Sequence, residues 1–182
     1  MRTLKELTVG VVGFGRIGRA VVKRLLAFGG RVLVADPFVD QSAIRAAGAD
    51  SSSLDSLFAS ADLITLHCLL NAQTRHLVNS QSLAKMKPGV LIINVGRGGL
   101  VDTDALIAAL KNGHVAAAGL DVFEGEPLPQ DSPLRTMDNV VVASHIASVS
   151  PRAMKTARET SAHLVLKALR GDKVENVVNG VV

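Results

Sequence analysis

The chain has 182 residues, 48% of them hydrophobic and 20% charged, with a formal net charge of +4; it is long enough to bury a core, too apolar to stay disordered, and without the run of about 20 apolar residues that a membrane helix needs. The single cysteine, Cys68, excludes an internal disulfide and a cysteine-based metal cluster. Aromatic residues make up 3% with no Trp or Tyr, and the charges are scattered as on solvated helix faces, which argues against a nucleic-acid partner.

Met1 to Leu7 contains no apolar stretch of signal-peptide type, so a soluble cytoplasmic protein is expected. Short β-branched runs then recur at Thr8 to Val12, Arg31 to Ala35, Asp62 to His67, Val90 to Val95, Ala116 to Val122 and Val140 to Ala143. Strands apolar on both faces belong to a parallel sheet covered by helices. Helical periods fill the intervals. From Arg16 to Phe28, the residues Ile17, Val21, Leu25 and Phe28 are spaced along one face as an apolar stripe. Asp102 or Thr103 is expected to cap a helix that runs to Lys111 and ends at Asn112 and Gly113. Glu124 to Pro133, with three prolines, reads as a loop, and Arg152 to Leu169 as a last long helix ending near Gly171. Alternation of this kind predicts an α/β fold, a Rossmann-type doubly wound parallel sheet in one domain over residues 1–182. Residues 173–182, with Val174, Val177 and Val178, read as a C-terminal arm.

Gly13-Phe14-Gly15-Arg16-Ile17-Gly18 is a G-x-G-x-x-G that follows a strand and opens a helix, the context that gives the pattern a mechanism. Gly13 permits the tight turn, Gly15 lets backbone approach a pyrophosphate, and Gly18 lets helix and strand pack closely. The helix start then faces the anion with its dipole. Asp36 closes the second strand, where such a domain places the acid that accepts hydrogen bonds from the adenosine ribose. A carboxylate there repels a 2′-phosphate, so NAD is expected over NADP; the alternative for Asp36 is a turn residue or helix cap. Reactive groups in open α/β sheets gather at the carboxyl ends of strands, which directs attention to Arg97, Asp121, Glu126 and His145.

Further stretches carry a resemblance. His67 to Thr74 (HCLLNAQT), Met86 to Asp102 (MKPGVLIINVGRGGLVD), Gly119 to Pro127 (GLDVFEGEP) and His145-Ile146-Ala147-Ser148 follow the fingerprint in order. Together with Gly13 to Gly18 and Asp36-Pro37 they resemble the cofactor domain of the D-isomer-specific 2-hydroxyacid dehydrogenases, a family that includes phosphoglycerate dehydrogenases and hydroxypyruvate or glyoxylate reductases. The likeness extends from Thr8 to about Asn179. It implies an NAD-dependent oxidoreductase that interconverts a small 2-oxo acid and its D-2-hydroxy acid. His145 would donate the proton, Glu126 would orient its imidazole, and Arg97 would grip the substrate carboxylate with its planar fork. For the cofactor the resemblance implies Arg16 and Ile17 at the pyrophosphate, Cys68 at the adenosine end, Val95 and Gly96 through their main chain at the nicotinamide end, and Asp121 at the carboxamide. Arg97, His145 and Ala147 would line the same cleft, and His67 is expected to be structural.

Leu69 and Ser144 stand where the family usually has proline, and Glu126 is an acid, unlike the glutamine of the formate dehydrogenase branch. Family enzymes add a second domain that completes the substrate site, so this chain is expected to be a fragment or a shortened relative. The rival expectation is an NAD-binding module without turnover, a sensor or interaction domain like the related corepressors. A homodimer through the cofactor domain is implied by resemblance, with Ala105, Leu106 and Leu110 packing on the sheet rather than at its interface.

Overall fold

A computed structural model describes residues 3–175 and residue 177, and within it the chain divides into two compact units, residues 1–145 and 146–182. The first is a seven-stranded, wholly parallel sheet formed by β1 (Thr8–Val12), β2 (Arg31–Ala35), β3 (Asp50–Ser51), β4 (Leu63–Leu66), β5 (Val90–Asn94), β6 (Val115–Leu120) and β7 (Val140–Val142). Their order across the sheet is β3-β2-β1-β4-β5-β6-β7, which reverses direction between β1 and β4. This is the doubly wound arrangement expected, and the reversal is the switch point at which such sheets open a crevice. The two-residue β3 goes beyond the six expected strands: Asp50-Ser51 is too short and polar to show a strand pattern, and its pairing with Leu33 and Val34 creates it.

Alternate side chains of the strands pack into separate cores on the two faces. Val9, Val11, Val32 and Val34 face one core with Val22 of α1 (Arg16–Ala27) and Ile44 of α2 (Gln41–Ala46). Val12, Leu33, Ile64, Leu66 and Ile92 face the other, which holds Leu57 of α3 (Leu54–Ser60), Leu83 of α4 (Ser80–Lys85) and Leu106 and Leu110 of α5 (Thr103–Lys111). Leu106 and Leu110 are therefore core residues, and Ala105 packs beside them. Asp102 caps α5 by accepting the Ala105 N–H at 3.1 Å, and Asn112 with Gly113 at φ 78° ends it.

The stripe expected on α1 is displaced. Ile17 is 64% and Phe28 60% exposed, while Gly18 and Val22 are buried, with Val21 and Leu25 partly buried against the core. A Cβ at Gly18 would lie 2.0 Å from the Gly13 carbonyl oxygen, so this side of the helix is drawn onto the strand and Val22, one turn on, takes the core position. Solvent also reaches further at the β7 edge than a fully covered sheet predicts, with Val141 73% exposed.

In the second unit, α6 (Pro151–Leu169) begins with Pro151 in its first turn and Ser150 as cap, accepting the Ala153 N–H at 3.1 Å, and it ends before Gly171 at φ 74°. The arm expected over 173–182 lies largely outside the described residues, Val178 included.

Candidate functional site

The sheet register sets the site. Val12 pairs with Ala35 and with Leu66, Leu66 with Asn94, Asn94 with Leu120 and Leu120 with Val142, so five strand ends stop level with β1. The residues one step beyond form a continuous rim: Asp36, Gly13, His67, Val95, Asp121 and Ala143. Most of the expected site residues stand on this rim or in the loops that leave it.

At the switch point Gly13 has φ 95° and its missing side chain is filled by the Cys68 N and His67 carbonyl, each under 3 Å from where a Cβ would sit. Only glycine both adopts that conformation readily and permits that approach. At Gly15, in contrast, a Cβ would meet no protein atom within 4 Å. Gly15 is also the N-cap of α1 and supplies no side-chain cap, so the helix opens towards unfilled space. Anions are favoured there by the helix dipole. Asp36 receives the Phe14 N–H at 2.7 Å on one carboxylate oxygen and the Phe38 N–H at 2.9 Å on the other. It thus serves as the turn residue of the bland alternative and also ties the glycine loop to the end of β2, with lone pairs on both oxygens left to accept further hydroxyls. Beside it the half-buried Cys68 thiol is pushed up from its usual value, chiefly by burial. His67, also half-buried, meets Thr65 Oγ1 at 2.9 Å, and burial holds it below the usual imidazole value, in keeping with a structural role. These residues suit a dinucleotide: open backbone for the pyrophosphate and an acid for a ribose.

On the other side of the switch point, the buried Asn94 shapes the turn after β5. Its side chain accepts the Gly96 N–H at 3.1 Å and donates to the Arg97 carbonyl at 2.9 Å, which leaves the Arg97 side chain to project from an exposed position. The guanidinium donates to the Gly96 carbonyl at 2.8 Å, and among the described residues no carboxylate pairs with it. An uncompensated, forked cation at the mouth of a sheet suits a planar anion.

Glu126 and His145 meet nearby, with 2.8 Å between Oε2 and Nδ1, while the other Glu126 oxygen accepts the Phe123 N–H at 3.1 Å. The hydrogen bond from His145, and secondarily that from Phe123, holds the Glu126 carboxyl below the usual carboxylate range. His145 has φ 58°, a left-handed conformation uncommon outside glycine, fixed by its own N–H donating to the Asp121 carbonyl at 2.8 Å. Engagement of Nδ1 by the carboxylate leaves Nε2 as the nitrogen for chemistry. Asp121 itself is buried next to this turn. Ala147 is exposed and belongs to the second unit.

Gly98 joins the two halves. A Cβ there would fall 1.9 Å from the Phe123 carbonyl carbon and oxygen, so the loop that carries Arg97 lies directly on the backbone leading to Glu126. Gly98→Ala is expected to lower stability by about 1–3 kcal/mol through overpacking against rigid backbone; an unshifted melting temperature would contradict the contact.

The motifs did not single out His76 or Glu124, whose side chains lie 2.6 Å apart behind this loop. Their separation of 48 residues leaves no local pattern to read. Among the described residues no group of His, Cys, Asp or Glu could hold a metal ion, and no helix is long and apolar enough to cross a membrane.

The family model for the D-isomer specific 2-hydroxyacid dehydrogenase NAD binding domain matches residues 1–147. The chain is 44% identical over 173 residues to D-3-phosphoglycerate dehydrogenase of Methanocaldococcus jannaschii, covering 94% of this chain and 33% of that protein. It is 41% identical to glyoxylate reductase of Thermofilum pendens, covering 97% of this chain and 52% of the other. The NAD-complexed D-isomer specific 2-hydroxyacid dehydrogenase of Lactobacillus delbrueckii ssp. bulgaricus superposes with a TM-score of 0.90 at 30% identity, over 97% of this chain and 57% of that one. The chain thus spans between a third and about half of the length of these curated relatives.

Proposed function

The chain belongs to the D-isomer-specific 2-hydroxyacid dehydrogenase family as its NAD-binding domain, and from that premise we propose that the whole protein reduces a small 2-oxo acid to the D-2-hydroxy acid with NADH, and runs the reverse with NAD. The observation that carries the reading is the Glu126–His145 pair at 2.8 Å in the loops that leave the same sheet edge as an exposed Arg97, which has no carboxylate partner among the described residues.

The glycine loop, Gly13 to Gly18, with Arg16 and Ile17 at the first turn of α1, would hold the cofactor's pyrophosphate, and Asp36 its adenosine ribose. Cys68 would line the adenosine end; Val95, Gly96 and Asp121 would line the nicotinamide end. When bound, NADH supplies the hydride. Arg97 grips the substrate carboxylate with two parallel N–H donors and turns the carbonyl towards the reacting face. His145 delivers a proton from Nε2 to the carbonyl oxygen as negative charge develops there. Glu126, ionised and bound at Nδ1, fixes the ring's orientation. In the oxidative direction the same nitrogen receives the hydroxyl proton.

A homodimer in the cytoplasm is part of the proposal, supported by resemblance. A panel of 2-oxo acids with NADH, assayed on the full-length protein beside NADH binding by this chain, tests the reading. Turnover of at least one acid is expected; tight NADH binding with no turnover of any acid would favour a binding module instead. Asp36 also sets a cofactor expectation: its charge should make NADPH bind at least about tenfold more weakly than NADH, with Asp36→Ala narrowing the gap. Fluorescence titrations that find equal affinities for the unaltered chain would exclude this role.

A further inference from the structure

Three loops that are far apart in sequence meet at one carboxylate. Glu124 Oε1 lies 2.6 Å from His76 Nε2, and its Oε2 accepts both the Thr103 N–H at 2.9 Å and the Thr103 hydroxyl at 2.6 Å. The Arg75 guanidinium stands 3.8 Å from Oε1. Thr103 opens α5, directly after the Arg97 loop, and Glu124 precedes Glu126 by two residues. The His76 segment is itself laced to the Arg97 loop: its N–H donates to the Gly99 carbonyl at 2.8 Å, Val78 donates to Leu100 at 3.0 Å, and Asp102 donates back to Val78 at 2.8 Å.

His76 adopts φ 49°, a left-handed conformation that a side-chain-bearing residue keeps only where its surroundings over-determine it. Here the Asn79 amide also holds its carbonyl at 2.8 Å. Burial by itself would raise the Glu124 carboxyl, yet the hydrogen bonds from Thr103 and His76 outweigh it and hold the group below the usual carboxylate range. With its side chain 28% exposed, Glu124 is therefore an ionised knot between loops rather than a solvated loop acid.

We propose that His76 and Glu124 are positioning residues, a clamp that fixes the Arg97 anchor against the Glu126–His145 pair. The geometry is direct. Phe123 donates its N–H to Glu126, its carbonyl rests on Gly98 beside Arg97, and the next residue, Glu124, is bolted to His76 and Thr103. Release of the clamp frees the Phe123–Glu124 strip, and both the carboxylate anchor and the proton donor lose their mutual alignment. The end of the site proposed for the pyrophosphate and adenosine ribose, at Gly13 to Gly18 and Asp36, shares none of these bonds. The inference deepens the reductase reading and rests on it for its kinetic consequence.

The test uses His76→Ala, Glu124→Ala and the double variant in the full-length protein, with His76→Gln as the conservative variant that retains a side-chain donor. Each Ala variant is expected to lose on the order of tenfold to a hundredfold in kcat/KM for the 2-oxo acid, through KM as well as kcat, because misplacement of about 1 Å has that effect. NADH affinity should stay within about twofold, since no clamp residue bonds to the glycine loop or to Asp36, and the double variant should resemble either single one because the two residues act as a unit. His76→Gln should recover most of the loss. A drop in melting temperature with kcat/KM within about twofold of the parent would show a merely structural contact and overturn the proposal, as would additive effects. Ring-nitrogen NMR of His145 in this chain gives an activity-independent readout: the Nδ1–H form of the neutral imidazole, held by Glu126, should lose its predominance in Glu124→Ala. An unchanged spectrum overturns the clamp. A parent protein that reduces no 2-oxo acid overturns the functional reading, and the NMR result then still decides whether the clamp orients His145.

Discussion

Arg97→Lys is expected to lower kcat/KM for the 2-oxo acid by on the order of a hundredfold to a thousandfold while the NADH dissociation constant moves by no more than about twofold. Lysine keeps the charge and discards the fork. A carboxylate bound by two parallel N–H bonds is held in one plane, and its carbonyl is thereby aimed; a compact ammonium attracts the same anion but leaves it free to rotate. The structure sharpens the expectation because Arg97 stands exposed with no carboxylate partner among the described residues, so its guanidinium has no ion-pairing duty inside this chain that lysine would disturb. Near-normal turnover in the variant would remove Arg97 from the role. A large loss of NADH affinity would reassign it to the cofactor.

The second large effect is at the proton donor. His145→Gln should reduce kcat by about a hundredfold to ten-thousandfold, the range for loss of a positioned general acid, with little change in NADH binding. Glu126→Gln should reduce it less, since an amide oxygen still reaches Nδ1 and orients the ring. The pair also leaves a stability signature of defined sign. The Glu126 carboxyl is held low by His145 and Phe123, so its contribution is complete above the ordinary carboxylate range and disappears as pH falls through its lowered value. A melting curve series at acid pH should therefore decline more gently in Glu126→Gln, by a small amount because the group is largely exposed. A steeper decline in the variant would mean that the carboxyl is not stabilised as an ion.

The parts of the fold legible in the sequence are those in which local pattern and tertiary environment agree. Val9 to Val12 and Leu33 to Ala35 are apolar on both faces because helices cover both faces, so the β-branched runs announced their own strands. α1 shows where that agreement stops. Ile17, Val21, Leu25 and Phe28 make a plausible stripe, but the contact between Gly18 and Gly13 rotates the helix so that Val22 is buried in its place. No periodicity count contains the rule that a glycine can outrank an isoleucine for the inward position. β3 is a similar case, a strand made by its neighbour rather than by its own residues.

The candidate site divides in the same way. Arg97, Glu126 and His145 stand out in the sequence as candidates because each follows a strand or sits in a motif of characteristic order. Their proximity could not be derived from order alone; it comes from strands that end level and from Gly98, whose absent side chain is occupied by the Phe123 carbonyl. The His76–Glu124 contact was beyond sequence reading, because a loop acid and a loop histidine 48 residues apart look like any solvated pair until the chain is folded. Asp36 is instructive in another way: ribose acid and turn residue were posed as alternatives, and its two oxygens already serve the turn and the glycine loop while keeping the capacity to accept more.

The level strand ends have a consequence for how such a protein can change. The rim residues make the last backbone bonds between neighbouring strands, His67 to Val12 at 2.7 Å and Asp121 to Asn94 at 3.0 Å among them, so the loops that leave them can be lengthened, exchanged or rewritten while the register beneath is kept. Chemistry and scaffold are in this sense separately heritable: the sheet can be conserved as a chassis while successive loops are traded for new selectivity. One limit on that freedom is the Gly98 seam, where two loops share one space and can be revised only as a pair; the His76–Glu124 contact is another.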